Sequence, residues 1–218
     1  MGVEKGMNLQ KRDCSIKIEF CNIEAGWLDA KIKFNDKEIK VISSYIGPSI
    51  EVLLEAIYMI HPNSSYHDNS KYVKYTEIKG MAEGQEVDWN VPYKAEFYWD
   101  EEGSYVDWYF EHTPTLENEF DLNVKIIASR RDTKEIKFTV SYKEFCYALA
   151  KAFTDMLKKY GIFGYHHSWY GGDVNFRQLL FIKAIALDAD DMINTNIDDK
   201  YSVFSDLNKE LELLMFDM

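Results

Sequence analysis

A nine-residue segment that alternates like a β-strand and then leads into a helical pattern occurs twice in the chain. Residues 37–45 read KEIKVISSY and residues 134–142 read KEIKFTVSY, with identity at six of nine positions and an aspartate just upstream of each. Alternation of apolar and polar residues is typical of a strand with one buried face, and the apolar spacing that follows is typical of a helix. The chain therefore predicts an internal β-hairpin–helix repeat, over residues 14–61 and 93–160.

Alternating runs elsewhere predict antiparallel β-meanders with six to eight strands in total. Turn residues separate several of these runs, notably Ala25-Gly26, Asn35-Asp36 and the stretch before Gly103. Residues 80–92 have no clear period, which predicts irregular structure. The strands are expected around residues 16–20, 28–34, 39–41, 72–78, 95–99, 106–110, 120–126 and 136–140.

Apolar residues at helical spacing predict helices around residues 50–60, 144–160, 176–187 and 203–215. Gly161 is expected to end the second helix, and Asp173 to cap the third. The serines before the two helices of the repeat, Ser44 and Ser141, are expected to act as N-terminal caps or turn residues. The last helix is expected to bury one stripe: Phe204, Leu207, Leu211, Leu214 and Met215.

These elements predict an α+β fold in which antiparallel meanders carry helices on one face or end. After a flexible N-terminus of residues 1–13, a single α+β domain is expected over residues 14–218, with a helical extension at 162–218. A chain of 218 residues with 46% hydrophobic and 15% aromatic residues can bury a sizeable core. We therefore expect order nearly throughout.

Acidic residues outnumber basic ones, 37 to 25, which gives a net charge of −12. Such a field repels phosphate groups, so neither nucleic acid nor an anionic membrane is expected as a partner. A basic protein partner is favoured, although an acidic composition also serves solubility. The chain is expected to be a monomer or a homodimer.

Cysteine usage and the lack of apolar spans indicate a soluble, cytoplasmic protein. Cys14, Cys21 and Cys146 are odd in number and form no CxxC pair, so neither a disulfide framework nor a zinc site is indicated. No stretch approaches 18 uninterrupted apolar residues. Nucleophile elbows, phosphate-binding loops and zinc-protease motifs are also missing, and the sequence predicts no cofactor and no metal.

The most informative local composition is residues 96–121, which hold nine acidic residues and no Lys or Arg. Alternation there separates an inner aromatic set from an outer face that combines carboxylates with tyrosine rings. Such a face suits Lys and Arg side chains through ion pairs and cation–π contacts, but it also fits an ordinary solvated sheet face. The predicted partner-binding residues are Glu96, Tyr98, Tyr105, Asp107, Tyr109 and Glu111.

An alternative site lies in the segment GYHHSWYGGD, residues 164–173, which the sequence predicts to be a loop. His166, His167 and Asp173 are the candidate acid–base or ligand-binding residues of a small hydrolase or ligand-binding enzyme. Adjacent histidines in an extended loop would point in opposite directions, so catalysis would need a third converging group. Packing of the aromatic residues onto the sheet explains the same composition without any catalysis.

Four features in a fixed order resemble small uncharacterised bacterial proteins of a single α+β domain. They are S-Y after a strand, L-L-x-A-I at 53–57, W-D-E-E-G-x-Y-V-D-W at 99–108, and Y-G at 160–161. In size, charge and architecture the chain is also similar to the immunity proteins of polymorphic bacterial toxins. This resemblance implies a non-enzymatic inhibitory protein whose carboxylate-rich face covers a basic partner.

Overall fold

Two antiparallel sheets and their covering helices make up the fold, which is α+β as the sequence predicts. The structure is a computed structural model. It describes residues 14–62, 70–82, 85–115, 117, 119–130, 132–170, 172–193, 195–197 and 203–218. The predicted flexible N-terminus, residues 1–13, lies outside the described residues.

The first sheet is a three-stranded meander of β1 (Ile16–Glu24), β2 (Trp27–Phe34) and β3 (Lys37–Ser44). Both connections are two-residue turns. Ala25 and Gly26 have φ values of 50° and 79°, as a type I′ turn requires. Such turns match the right-handed twist of the strands, so the predicted meander forms with its apolar face inward.

The second sheet has five strands in sequential order: β4 (Lys74–Ala82), β5 (Gln85–Asp100), β6 (Tyr105–Glu111), β7 (Asp121–Ala128) and β8 (Lys134–Ser141). The prediction of irregular structure at residues 80–92 was wrong, because β4 and β5 extend through most of it. Register shifts in that pairing, next to Thr76 and Lys79, break the alternation on which the prediction depended. The eight strands of the two sheets match the upper end of the predicted range.

Helices follow each sheet and fill the C-terminal third. They are α1 (Ser49–Met59), α2 (Tyr142–Ser168), α3 (Phe176–Leu187) and α4 (Leu207–Met215), with a 3-10 turn at Asp190–Met192. A two-residue ribbon of β9 (Asn196–Ile197) and β10 (Val203–Phe204), which the sequence did not predict, precedes α4. Among the described residues, no helix combines the length and hydrophobicity that crossing a bilayer requires.

Gly161 interrupts α2 but does not end it. Its φ of 68° and ψ of 168° are non-helical, and the chain then resumes a helix up to Ser168. The predicted loop at residues 164–173 is therefore wrong for its first half, where His166 and His167 are helical. The predicted cap of α3 is also wrong, since Asn175 accepts the hydrogen bond from the Gln178 amide. Gly161 is therefore a break within α2 and not its C-terminal stop.

Aromatic pairs join the two sheets and α2 into one core. Phe34 stacks on Phe138 at 4.6 Å, which links β2 to β8. Phe20 and Phe110 each meet a ring of α2 edge-on, with centroids 5.3 Å apart. The inner set predicted from alternation, Phe97, Trp99, Trp108 and Phe110, is buried as expected.

The last helix is turned differently from the prediction. Leu213 is buried, whereas Leu207, Leu211 and Met215 are 64%, 48% and 77% exposed. Lys183 of α3, itself buried, donates hydrogen bonds to the carbonyl oxygens of Leu214 and Phe216. These bonds satisfy carbonyls at the end of α4 and fix which face of the helix meets α3. Phe204 is exposed as well, whereas Leu214 is partly buried against the core, so the predicted buried stripe was wrong for four of its five residues.

The two serines of the repeat have different roles. Ser141 caps α2, because its hydroxyl accepts a hydrogen bond of 3.2 Å from the Glu144 amide. Helix α1 begins five residues after Ser44 and has Pro48 at its cap position, with no side-chain hydrogen bond. The Ser44 hydroxyl is buried, and no partner for it is found in the part of the chain that the structure describes.

We predict that Ser141→Ala lowers the free energy of unfolding by about 1 kcal/mol, because a helix N-cap is lost. Ser44→Ala is the matched control at the equivalent repeat position, and it should be neutral or stabilising, since it removes a buried hydroxyl that has no partner. Urea unfolding of the two variants measures both effects. If the two variants were destabilised equally, Ser141 would not act as the N-cap of α2.

Stability should also fall in acid because of His61, a buried residue beside α1. Burial, and after it the charge of His112, lowers the pKa of His61 to about 4, below the usual 6.5. The unfolded chain therefore takes up the proton first, and stability is lost as the pH falls from 6.5 to 4, by up to about 3 kcal/mol. His61→Gln should flatten this part of the stability profile, whereas His167→Gln, at an exposed position, should leave it unchanged.

Candidate functional site

The solvent face of β5 and β6 holds all six of the predicted partner-binding residues. Antiparallel pairing places Glu96 opposite Tyr109 and Tyr98 opposite Asp107, so these four side chains form one block. Tyr105 and Glu111 extend the block toward either end of β6. Whether a partner binds there stays a prediction.

Lysines from β5 itself and from the neighbouring strands β4 and β7 neutralise one end of this face. Glu96 lies 3.1 Å from Lys94 and 3.8 Å from Lys74. The ammonium group of Lys125 lies 4.9 Å from the centre of the Tyr109 ring, and Lys94 is opposite Glu111 in the register. The acidic character of residues 96–121 therefore does not carry over to this end of the folded surface.

The other end, at the β5–β6 turn, is rich in exposed aromatic surface. Tyr98 is 59% exposed and meets Tyr105, 48% exposed, edge-on at 5.1 Å. Tyr98 also lines a depression of about 160 Å³ together with Ile46 and Tyr72, which are 60% and 47% exposed. We call these four residues, Ile46, Tyr72, Tyr98 and Tyr105, the tyrosine patch. Sequence reasoning missed Ile46 and Tyr72, because only the fold brings the loops before α1 and β4 beside β5.

Carboxylates surround the tyrosine patch. Asp107 is the cross-strand neighbour of Tyr98, and Asp100 lines the same depression as Tyr98. Burial, and then the charges of Asp107 and Glu96, raise the pKa of the neighbouring Tyr109. Lys71 lies 5.1 Å from the centre of the Tyr72 ring, so this surface already holds one cation by a cation–π contact.

The alternative residues His166 and Asp173 are brought together, but at the surface. Nδ1 of His166 lies 3.1 Å from Oδ1 of Asp173, and the two side chains are 51% and 88% exposed. His167, next to it on the helix, is exposed as well. This pair forms across the turn that leads to α3, which the sequence alone did not indicate.

Sequence reasoning missed a buried carboxyl group close to this pair. Glu51 of α1 accepts a hydrogen bond of 2.7 Å from the Tyr165 hydroxyl and another from Trp169. A Cβ atom at Gly172 would lie 2.6 Å from a Glu51 oxygen, so only glycine fits there. Burial raises the pKa of Glu51 against the effect of these hydrogen bonds. The Trp and Gly residues of the 164–173 segment were the only sequence signal for close packing there. Their partner, Glu51, is 114 residues away from Tyr165, so the sequence could not identify it.

Glu51 and Asp173 line a depression of about 480 Å³ with Glu55 and Arg177. Within the described ranges, no group of three or more His, Cys, Asp or Glu residues is arranged to hold a metal ion. No family model, curated protein or solved structure matches the chain. The functional argument therefore depends on these surfaces alone.

We predict that Glu51→Ala lowers the free energy of unfolding at pH 7 by about 2 to 3 kcal/mol, because the Tyr165 and Trp169 donors lose their acceptor. Glu51→Gln keeps an oxygen for both donors and removes a carboxyl group whose charged form is disfavoured by burial. Its stability should equal or exceed that of the wild type in urea unfolding. If both variants lose stability equally, the hydrogen bonds do not hold this segment in place.

Proposed function

We propose that the protein is a non-enzymatic binding or inhibitory protein, of the immunity type, that engages a basic protein through the tyrosine patch and its carboxylates. The observation that carries this proposal is the convergence of Ile46, Tyr72 and Tyr98 at one exposed depression, with Tyr105 packed against Tyr98 beside it. Large exposed side chains grouped around a pocket are typical of the centre of a protein interface.

Tyrosine is well suited to this role because its ring offers a large contact area at a low cost in conformational entropy. Asp107 and Asp100 beside the rings add negative charge, which favours a Lys- or Arg-rich partner. The net charge of −12 would also steer such a partner toward the protein and speed association at low salt. The proposed interface is thus centred on the turn end of the predicted face, away from Lys74, Lys94 and Lys125.

A small hydrolase or ligand-binding enzyme is the second candidate. The observation that favours it is the contact between His166 and Asp173 at the edge of the 480 Å³ depression. A carboxylate that orients a histidine is one part of an acid–base site. Against it, the pair is open to water, whereas catalytic groups gain most in a site that excludes water.

The test is affinity capture on the immobilised protein at low and high salt, followed by mass spectrometry. Tyr98→Ala with Tyr105→Ala should reduce retention of a basic protein by about tenfold or more, since interface tyrosines are frequent hot spots. Phe163→Ala is the matched control, because Phe163 is 90% exposed and lies elsewhere, on α2. Asp107→Lys should weaken retention more than Glu111→Lys, since Glu111 is opposite Lys94.

A basic protein that wild type retains at low salt and releases at high salt would support the proposal. Retention that survives both the double tyrosine variant and Asp107→Lys would exclude this surface. If nothing basic is retained and His166→Ala abolishes binding of a small molecule, the enzyme alternative replaces it.

A further inference from the structure

Glu101, in the turn between β5 and β6, has a buried carboxylate next to the tyrosine patch. Its side chain is only 4% exposed, although the next residue along the turn, Glu102, is exposed. Burial of a carboxylate is costly unless hydrogen-bond donors face its oxygens. The donors around Glu101 therefore show which parts of the chain its side chain joins.

Both oxygens of Glu101 accept hydrogen bonds, and one of the donors belongs to the first sheet. Oε1 accepts a hydrogen bond of 3.1 Å from the backbone amide of Ile42 in β3, 59 residues away in the chain. Oε2 accepts one of 2.8 Å from the Ser104 hydroxyl, within the same turn. The side chain therefore ties the β5–β6 turn to the end of β3.

Two buried serines add a second connection at the same place. The Ser43 hydroxyl donates to the Asp100 carbonyl at 3.4 Å and is hydrogen-bonded to the hydroxyl of Ser49, the first residue of α1. The Ser49 amide in turn donates to the Gly47 carbonyl at 2.9 Å. The end of β3, the start of α1 and the β5–β6 turn thus meet in one hydrogen-bonded cluster.

This cluster lies between the two parts of the tyrosine patch. Ile46 follows Ser43 by three residues, in the loop between β3 and α1, and Tyr98 precedes Glu101 by three residues on β5. Ile46 and Tyr98 line the same depression of about 160 Å³, together with Asp100. The position of the Ile46 loop relative to β5 therefore depends on the bonds that Glu101 and Ser43 make.

We propose that Glu101 is a positioning residue of the tyrosine patch: its carboxylate holds the loop that carries Ile46 against the strand end that carries Tyr98. Glu101 does not contact the partner, since its side chain lies beneath the surface. Its effect on binding rests on the proposed function, because the patch is the surface of that function. Its effect on the shape of the patch does not.

The length of the side chain, and not its charge, should decide whether another residue can replace Glu101. Gln has the same length, and its amide group offers an oxygen to the Ile42 amide and a donor to the Ser104 oxygen. Asp keeps the charge, but it is one methylene shorter, which withdraws its oxygens by about 1.5 Å from the two donors. Gln and Asp variants therefore separate positioning from attraction of a basic partner.

NMR on the full chain measures the shape of the patch without any partner. In the wild type and in Glu101→Gln, the Ile42 amide should be protected from hydrogen exchange, and nuclear Overhauser contacts should join the Ile46 methyl groups to the Tyr98 ring. Glu101→Ala should speed exchange at Ile42 about tenfold or more and remove these contacts. Continued protection of Ile126, at the centre of the second sheet, shows that a variant is folded.

The proposal is wrong if Ile42 stays protected and the Ile46–Tyr98 contacts persist in Glu101→Ala. Should Glu101→Ala fail to fold, the comparison of Glu101→Gln with Glu101→Asp decides. Contacts that survive better in the Gln variant support positioning, and contacts that survive better in the Asp variant contradict it.

Binding is measured with the basic protein that the wild type retains at low salt. Glu101→Ala should reduce its retention about tenfold, as the double tyrosine variant does, and Glu101→Gln should restore retention to within about twofold of the wild type. Glu102→Gln is the matched control, because it removes one charge at the exposed neighbouring position. If Glu101→Asp retains the partner better than Glu101→Gln, the role of Glu101 is its charge and the proposal is wrong.

Failure of this proposal and failure of the proposed function give different results. If Tyr98→Ala with Tyr105→Ala loses the partner while Glu101→Ala keeps it, the patch binds without Glu101, and the positioning role alone is excluded. If the double tyrosine variant keeps the partner, or if the wild type retains no basic protein, the proposed function is excluded. The NMR experiment then still decides whether Glu101 shapes the patch.

Discussion

The C-terminal end of α1 is the point on which the two halves of the fold depend. A helix leaves its last carbonyl oxygens without intrahelical donors, and α1 has no glycine cap to turn the chain away. The Tyr142 hydroxyl donates to the Ile57 carbonyl at 2.7 Å, and Nε2 of His112 lies 3.2 Å from the Ile60 carbonyl. Tyr142 is fully buried and stacks on Phe120 at 4.5 Å. Polar groups from the start of α2 and from the residue after β6 therefore bind the carbonyl oxygens at the end of the first helix.

This arrangement explains why the repeated segment serves two purposes. Tyr142 enters the core at the β8–α2 junction, whereas its counterpart Tyr45 is 51% exposed and meets Tyr170 edge-on at 5.1 Å. Ser141 caps a helix and Ser44 does not. The same residues at equivalent positions thus have different environments, because α2 starts directly at the strand end and α1 starts after a turn. The tyrosine of the second copy is therefore part of the core, whereas the tyrosine of the first copy lies at the surface.

The tyrosine patch is a surface that results from this packing. It offers side chains from three separate segments, so its specificity would come from ring contacts and nearby carboxylates. The net charge of −12 would favour a basic partner there, as we propose.

The sequence by itself determined the α+β class, the three-stranded meander and the inner aromatic face of β5 and β6. Side chains of a strand point alternately to the two faces of its sheet, so burial of one face leaves a period of two residues in the local sequence. The sequence also placed the six residues of the predicted face on one side of the sheet. Tertiary structure alone decided the rest. Lys74 and Lys125 reach that face from neighbouring strands, Glu51 holds Tyr165 and Trp169 against α1, and Lys183 fixes the orientation of α4. Each of these depends on side chains that meet across long sequence separations, for which no local period exists.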